Sequence, residues 1–132
     1  MEKYEGSTGG QVIAIPHNGN VSNGVMFSDK RVDGSDFDKT YTALRQRWEP
    51  LYEVTQVKGD AEAHPYLSPN DEYANFETWD QGNLRMEPKE KNMLQGEYAR
   101  SALKNGLALS QKFGVNPFKF GLVGGTDTHN AL

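Results

Sequence analysis

Apolar runs alternate with amphipathic segments along this chain, and that order restricts the fold more than any other feature does. Runs rich in β-branched and aromatic residues predict strands at 11–15, 51–57 and 118–123. Apolar residues at helical spacing predict helices at 36–47 and 95–113. Strands that alternate with helices pair in parallel through right-handed crossovers. The sequence therefore predicts an α/β fold with three parallel strands and crossover helices.

Local signals set the expected ends of these elements. Asp36 is expected to cap the first long helix, and Pro50 prevents that helix from continuing. Gly114 follows the second helix at the position of a left-handed cap. The first and third strands are continuously apolar, so both are expected to be buried on two faces.

The segment 58–92 is too long for an ordinary connection between secondary-structure elements. It contains three of the six prolines, and loops of this length are usually functional or disordered. The chain of 132 residues has room for one domain with a modest core. We therefore treat 1–132 as one domain in which 58–92 is a long irregular loop or an insertion.

Charge and composition exclude several classes of protein. The net charge is −4, and the lysines and arginines are scattered. A surface for nucleic acid or anionic membranes carries clustered positive charge, so neither partner is expected. The absence of cysteine excludes disulfides and thiolate metal sites. No apolar run is long enough to span a membrane, and the polar N-terminus lacks a signal-peptide core. We expect a soluble protein, and the sequence leaves its compartment undefined.

Ionisable residues follow the predicted strands at their carboxyl ends. His17 follows the first strand, and Asp127 and His129 follow the third. Because the carboxyl ends of parallel strands converge, these three residues are candidate metal ligands. Imidazole and carboxylate groups suit zinc, manganese or iron, and such ions activate water for hydrolysis. Glu53 lies within an apolar strand and must find a partner or a metal. We therefore predict Asp127 and Glu53 as catalytic residues.

A second set of polar residues can supply contacts to a small-molecule substrate. Asp60, Glu62 and His64 lie in one loop after the second strand, where they form either substrate contacts or a solvated turn. Asn18 lies in an Asn-Gly-Asn turn whose backbone N–H groups either meet an anion or simply complete the turn. Composition leaves both alternatives open at each position.

Three stretches together carry a family resemblance. They are AIPHNGN at 14–20, LYEVTQVKGDAEAHPYLSPNDEYANFE at 51–77 and FKFGLVGGTDTHNAL at 118–132. They closely resemble a domain-of-unknown-function branch of the PHP-like (polymerase and histidinol phosphatase) metal-dependent hydrolases. The resemblance implies a distorted (β/α)7 barrel with two or three divalent ions at the strand ends. It also implies that His17 is a metal ligand and that Asp127 and His129 form the terminal Asp-x-His metal pair. Glu53 would be the first residue that its strand contributes to the site.

The chain departs from that superfamily in one important respect. PHP proteins open with a His-x-His pair on their first strand, and this sequence has none. The resemblance therefore implies the C-terminal part of a barrel. Its activity is expected to be that of a metal-dependent hydrolase fragment acting on phosphoester or related bonds. The alternative is a non-catalytic module that binds a small ligand or a partner, and a structural fragment without a function of its own also fits.

The predicted sheet also bears on assembly. Three strands covered by two helices leave open edges and apolar faces. The sequence therefore predicts a homodimer or a higher oligomer that closes those edges. The alternative is a monomer in which the loop at 58–92 folds over the open side.

Overall fold

The computed structural model describes residues 1–130, and its sheet is mixed rather than parallel. The strands are β1 (Leu51–Gln56), β2 (Gly59–Asp60) and β3 (Gly121–Gly124), with β1 in the middle. β1 pairs in parallel with β3 and antiparallel with β2. The predicted α/β barrel portion with three parallel strands is therefore wrong, because the described sheet is open and has one parallel pair.

The antiparallel strand arises from a tight reversal directly after β1. Gln56 pairs with Gly59, so two residues, Val57 and Lys58, turn the chain. A connection this short can join antiparallel strands only. Gly59 has a φ of 105°, which glycine adopts without strain. The long predicted loop thus begins by adding a strand to the sheet.

The predicted strand at 11–15 is also wrong. Residues 14–16 make two backbone hydrogen bonds near the start of β1, from Ala14 N to the Trp48 carbonyl at 2.6 Å and from Glu53 N to the Pro16 carbonyl at 3.0 Å. Pro16 has no N–H to return a bond, and a ladder that loses a donor at its end does not extend. The segment therefore lies beside β1 without becoming a strand.

The helices agree with the sequence better than the strands do. They are α1 (Glu2–Thr8), α2 (Lys39–Trp48) and α3 (Ala99–Phe113), and short 3₁₀ turns lie at Gly19–Val21 and Lys91–Gly96. Asp38 caps α2 by accepting from Tyr41 N at 2.8 Å, whereas the predicted cap Asp36 pairs with Lys30. Gly114 ends α3 in the left-handed conformation, as predicted, with a φ of 74°.

The core is aromatic and lies between α3 and one face of β1. Phe27, Tyr52, Tyr98 and Phe118 are all fully buried, and Ala99 and Ala102 of α3 pack against them. Alanines on this face let the helix approach the aromatic rings closely. The core therefore reaches the central strand of the sheet through Tyr52.

The other side of the sheet is open. All four residues of β3 are exposed, including Leu122 and Val123, so the expected burial of the third strand on two faces is not observed. By contrast, the segment 58–92 packs against the core through Ala61, whose carbonyl accepts from Ala99 N at 2.8 Å.

Among residues 1–130, no helix has the length and apolar character needed to cross a membrane.

Candidate functional site

The carboxyl ends of β1 and β3 meet at one edge of the sheet. Glu53 pairs with Val123 in the register of the two strands. Beyond β3, Gly125 N donates to the Thr55 carbonyl at 3.0 Å, so the following loop continues past the end of β1. Asp127 and His129 therefore lie in the loop that follows β3, at the carboxyl end of β1, the strand that contains Glu53. We call His17, Glu53, Asp127 and His129 the edge site.

Glu53 links the two sides of this edge. Its backbone N–H donates to the Pro16 carbonyl, and this bond places the start of the His17 loop beside β1. Its carboxylate lies against the backbone of Gly125, where an added Cβ would be 2.1 Å from Oε1. Any side chain at position 125 would collide with this carboxylate. Two loops that carry candidate ligands therefore approach β1 at Glu53.

Asp127 is the most enclosed carboxylate of the edge site. Its side chain is 16% exposed and forms an ion pair with Lys58, which belongs to the turn between β1 and β2. His129 lies on its other side, with Nε2 3.9 Å from Asp127 Oδ1. Asp127 has a φ of 58°, a left-handed conformation that aspartate tolerates better than most residues do. Its carboxylate therefore lies between the Lys58 ammonium and the His129 imidazole.

The hydrogen bonds of His17 and His129 define their tautomers. Nδ1 of His17 lies 3.2 Å from the Ile15 carbonyl, and Nδ1 of His129 lies 2.6 Å from the Asp127 carbonyl. A carbonyl oxygen can only accept, so each Nδ1 is the donor. In the neutral ring, Nε2 then keeps its lone pair. A metal-binding histidine commonly has this arrangement, in which the second nitrogen donates to a backbone carbonyl.

His64 has the opposite tautomer. Tyr66 N donates to its Nδ1 at 3.1 Å, so the neutral ring carries its proton on Nε2, which donates to Asp80 Oδ2 at 2.8 Å. Both nitrogens are therefore used inside the protein. In this arrangement His64 has no free nitrogen to bind a substrate or carry a proton.

The other predicted substrate contacts are Glu62, Asp60 and Asn18. Glu62 pairs with Arg100 of α3 at 2.7 Å. Asp60 accepts from Glu62 N at 2.8 Å, and burial raises the pKa of its carboxyl. Asn18 occupies the left-handed region at a φ of 56°, and its Oδ1 is buried with no hydrogen-bond partner in the described part of the chain. Among these residues, Asn18 alone presents an unused buried polar group.

A second group of charges lies inside the protein, and the sequence did not indicate it. Lys89 Nζ, on a side chain that is 5% exposed, contacts Asp80 Oδ1 at 2.6 Å and Glu97 Oε2 at 3.0 Å. The other carboxylate oxygen of Asp80 contacts His64 Nε2. Burial raises the pKa of Glu97, while the Lys89 ammonium opposes that rise. We call His64, Asp80, Lys89 and Glu97 the charge network.

Two tyrosines next to the charge network are neutral. Tyr52 and Tyr98 are fully buried, and their hydroxyls have no hydrogen-bond partner among residues 1–130. Burial raises the pKa of both phenols far above its ordinary value. Neither phenol can therefore serve as a base near neutral pH. Through Lys89 and Glu97, the network joins the 58–92 segment to the residues just before α3.

The structure brings together part of the predicted metal set. Asp127 and His129 are adjacent, and Glu53 lies against the loop that leads to them. Within residues 1–130, however, no three His, Asp or Glu side chains gather closely enough to hold one metal ion. His17 reaches the edge through the backbone of Pro16, and its ring remains exposed.

The whole chain, residues 1–132, matches one family model. That family is described as a protein of unknown function, DUF3604. No curated protein and no solved structure matches the chain.

Proposed function

The chain belongs to the DUF3604 family, and we propose that it takes part in metal-dependent hydrolysis at the edge site. The substrate class is a small molecule with a phosphoester or related bond, as in the PHP-like hydrolases that its motifs resemble. The observation that carries the proposal is the shared tautomer of His17 and His129. Each donates from Nδ1 to a carbonyl and keeps the Nε2 lone pair that a metal ion requires.

Carboxylate and imidazole groups are donors that zinc, manganese and iron accept. Asp127 Oδ1 and His129 Nε2 are 3.9 Å apart. Asp127 and His129 would be two neighbouring ligands of such an ion. His17, whose exposed ring follows the segment bonded to β1, would be the third ligand. A set of two imidazoles and one carboxylate is typical of catalytic metal sites.

The roles of the protein groups follow from their chemistry. His17, Asp127 and His129 would hold the ion, whose chemistry would be to activate a water and to polarise the bond to be cleaved. Glu53, half-buried against Gly125, is the carboxylate available to accept the proton of that water. The unpaired amide oxygen of Asn18 is a candidate contact to the substrate.

Calorimetric titration with Mn²⁺ and Zn²⁺ tests the metal site. We expect His17→Ala and Asp127→Ala to weaken binding at least about tenfold, which is 1.4 kcal/mol, because each removes one ligand. Glu72→Ala is the matched control, since this carboxylate is exposed and lies outside the edge site. Equal affinity in all four proteins would exclude the proposed ligands. Hydrolysis of a phosphoester that a chelator abolishes in the wild-type protein would extend the result to activity.

A second candidate function is a non-catalytic module that binds a partner, and the open edge of the sheet favours it. β3 is the outer strand in the order β2–β1–β3, and Leu122 and Val123 on it are 47% and 41% exposed. A strand edge with exposed apolar side chains pairs readily with another chain. We propose a second copy of this chain as that partner.

Sedimentation equilibrium over a range of concentrations tests self-association. We expect a dimer or a higher oligomer for the wild-type protein and a shift to monomer for Leu122→Lys, because the added charge cannot be buried in the paired edge. Leu107→Lys is the control, since Leu107 lies on α3 and is 67% exposed. A monomer mass at every concentration of the wild-type protein would contradict the proposal.

A further inference from the structure

We propose that the protein binds an uncharged saccharide in a groove between α3 and two turns of the chain. The groove is separate from the edge site and shares no residue with it. It begins as a cavity of about 600 Å³, a size that holds a small-molecule ligand. Four carboxamide side chains line this cavity, those of Asn23, Asn92, Gln95 and Asn105. We call the groove that these residues line the amide groove.

The carboxamides of the amide groove are not used inside the protein. None of the four side chains has a hydrogen-bond partner among residues 1–130. Each carboxamide carries two N–H donors and an acceptor oxygen. Asn105 is half-buried on α3, and the other three side chains are exposed. The groove therefore presents four polar groups whose hydrogen bonds are available to a ligand.

The two turns that carry Asn23 and Gln95 are joined to each other through their backbones. Phe27 N donates to the Gly96 carbonyl at 2.8 Å. A Cβ added at Gly96 would lie 2.0 Å from the Gly24 carbonyl oxygen, so the two turns are in direct contact. Groups that are held in place before binding lose little conformational freedom when a ligand arrives. The frame of the amide groove is therefore preorganised.

The lining of the groove selects an uncharged ligand that carries hydroxyl groups. A carboxamide both donates and accepts, and so does a hydroxyl, so one amide can bond to neighbouring hydroxyls of a sugar. Among the described residues that line the first cavity, Asp29 alone is ionisable, so no cation is present there for a phosphate or a carboxylate. Val25, Met93 and Leu109 add apolar surface. Apolar walls with a few polar groups that fix orientation are typical of small-molecule sites.

The groove continues beyond the first cavity. Gln95 and Asn105 also line a second cavity of about 590 Å³, so the two cavities meet at these residues. The hydroxyls of Ser68 and Ser101 line the second cavity and have no hydrogen-bond partner in the described part of the chain. Arg100, which also lines it, is already paired with two carboxylates. The continuous lining suits a saccharide of two or more units with Gln95 and Asn105 near its centre.

NMR titration of the whole chain with maltose, cellobiose, lactose and N,N′-diacetylchitobiose tests the site. We expect at least one of these neutral disaccharides to bind with a Kd of about 1 mM or lower. Gln95→Met and Asn105→Leu should each weaken that binding about fivefold, because each removes one carboxamide at nearly constant side-chain size. Asn70→Leu is the matched control, since Asn70 is exposed and lines neither cavity. It should bind as the wild type does.

Two further measurements separate the amide groove from other sites. Asp127→Ala should leave saccharide binding unchanged, and a loss in this variant would place the sugar at the edge site and overturn the proposal. Glucuronate is the charged probe. If glucuronate binds and the neutral disaccharides do not, the ligand is an anion held by the exposed Lys104 of the second cavity, and the proposal is wrong. It is also wrong if no disaccharide binds, or if Gln95→Met and Asn105→Leu both match the wild type.

Discussion

Lys89→Met is expected to lower the free energy of unfolding by about 3–5 kcal/mol, because it leaves buried charge without a partner. Lys89 is the cation that joins Asp80 to the fully buried Glu97. Methionine matches the length of the stem but removes both ion pairs and the bond to the Asn20 carbonyl. Urea denaturation followed by tryptophan fluorescence measures the loss.

Two further variants identify the cause of that loss. Lys104→Met makes the same substitution at an exposed site and should change stability by less than about 0.5 kcal/mol. The double variant Lys89→Met/Glu97→Met removes both members of the pair and should recover more than half of the loss, since apolar groups can replace a buried ion pair. A Lys89→Met protein within about 1 kcal/mol of the wild type would contradict the prediction.

The effect of Lys89→Met should also depend on pH. The pKa of Glu97 is raised above its ordinary value of 4.5 by burial, and Lys89 limits that rise. A carboxyl with a raised pKa in the folded state contributes stability that is complete below 4.5 and is lost as the pH rises through the folded-state value. Without Lys89 that value rises further. The stability difference between wild type and variant should therefore be larger at about pH 8 than at about pH 5.

Phe27→Ala is expected to cost about 3–5 kcal/mol, the usual range for deleting a buried phenylalanine. The ring is 1% exposed. It makes edge contacts with Tyr52 and Phe118, with centroids 4.9 Å and 5.6 Å away, and a tilted contact with Phe120 at 5.4 Å. Removing it leaves a cavity at the point where β1 meets the segments that carry Phe118 and Phe120.

The matched control is Phe76→Ala, because the Phe76 ring is 64% exposed. Its loss should stay within about 0.5 kcal/mol in the same urea titration. Phe27→Leu should fall between the two, since leucine refills part of the cavity. If Phe27→Ala and Phe76→Ala were equally stable, the aromatic cluster would not be the centre of the core.

The elements that were predicted correctly are those whose bounds depend on residues within the element itself. α3 ends at Gly114 because the apolar spacing stops there and glycine takes the left-handed cap. β1 nearly fills its predicted range because its residues favour a pleated strand. The cap of α2 lies two positions after the predicted one, because Asp38 and not Asp36 accepts from Tyr41 N, while Asp36 pairs with Lys30.

Sheet pairing was predicted less well, because pairing depends on residues far apart in the chain. The two-residue turn after β1 added an antiparallel strand, and Pro16 kept the first apolar run out of the ladder. The charge network was missed for the same reason. Its contacts join residues such as His64 and Asp80, which are 16 positions apart and share no periodic pattern.

By itself, the sequence determined which residues favour helix or strand and which ionisable groups follow β1 and β3, because these properties belong to neighbours in the chain. The tertiary structure decided which groups meet. It paired Lys58 with Asp127, fixed one tautomer for His17 and His129 and the opposite one for His64, and left β3 open. Each outcome depends on a hydrogen bond, an ion pair or a packing contact at a specific distance. Such contacts exist only after the chain has folded.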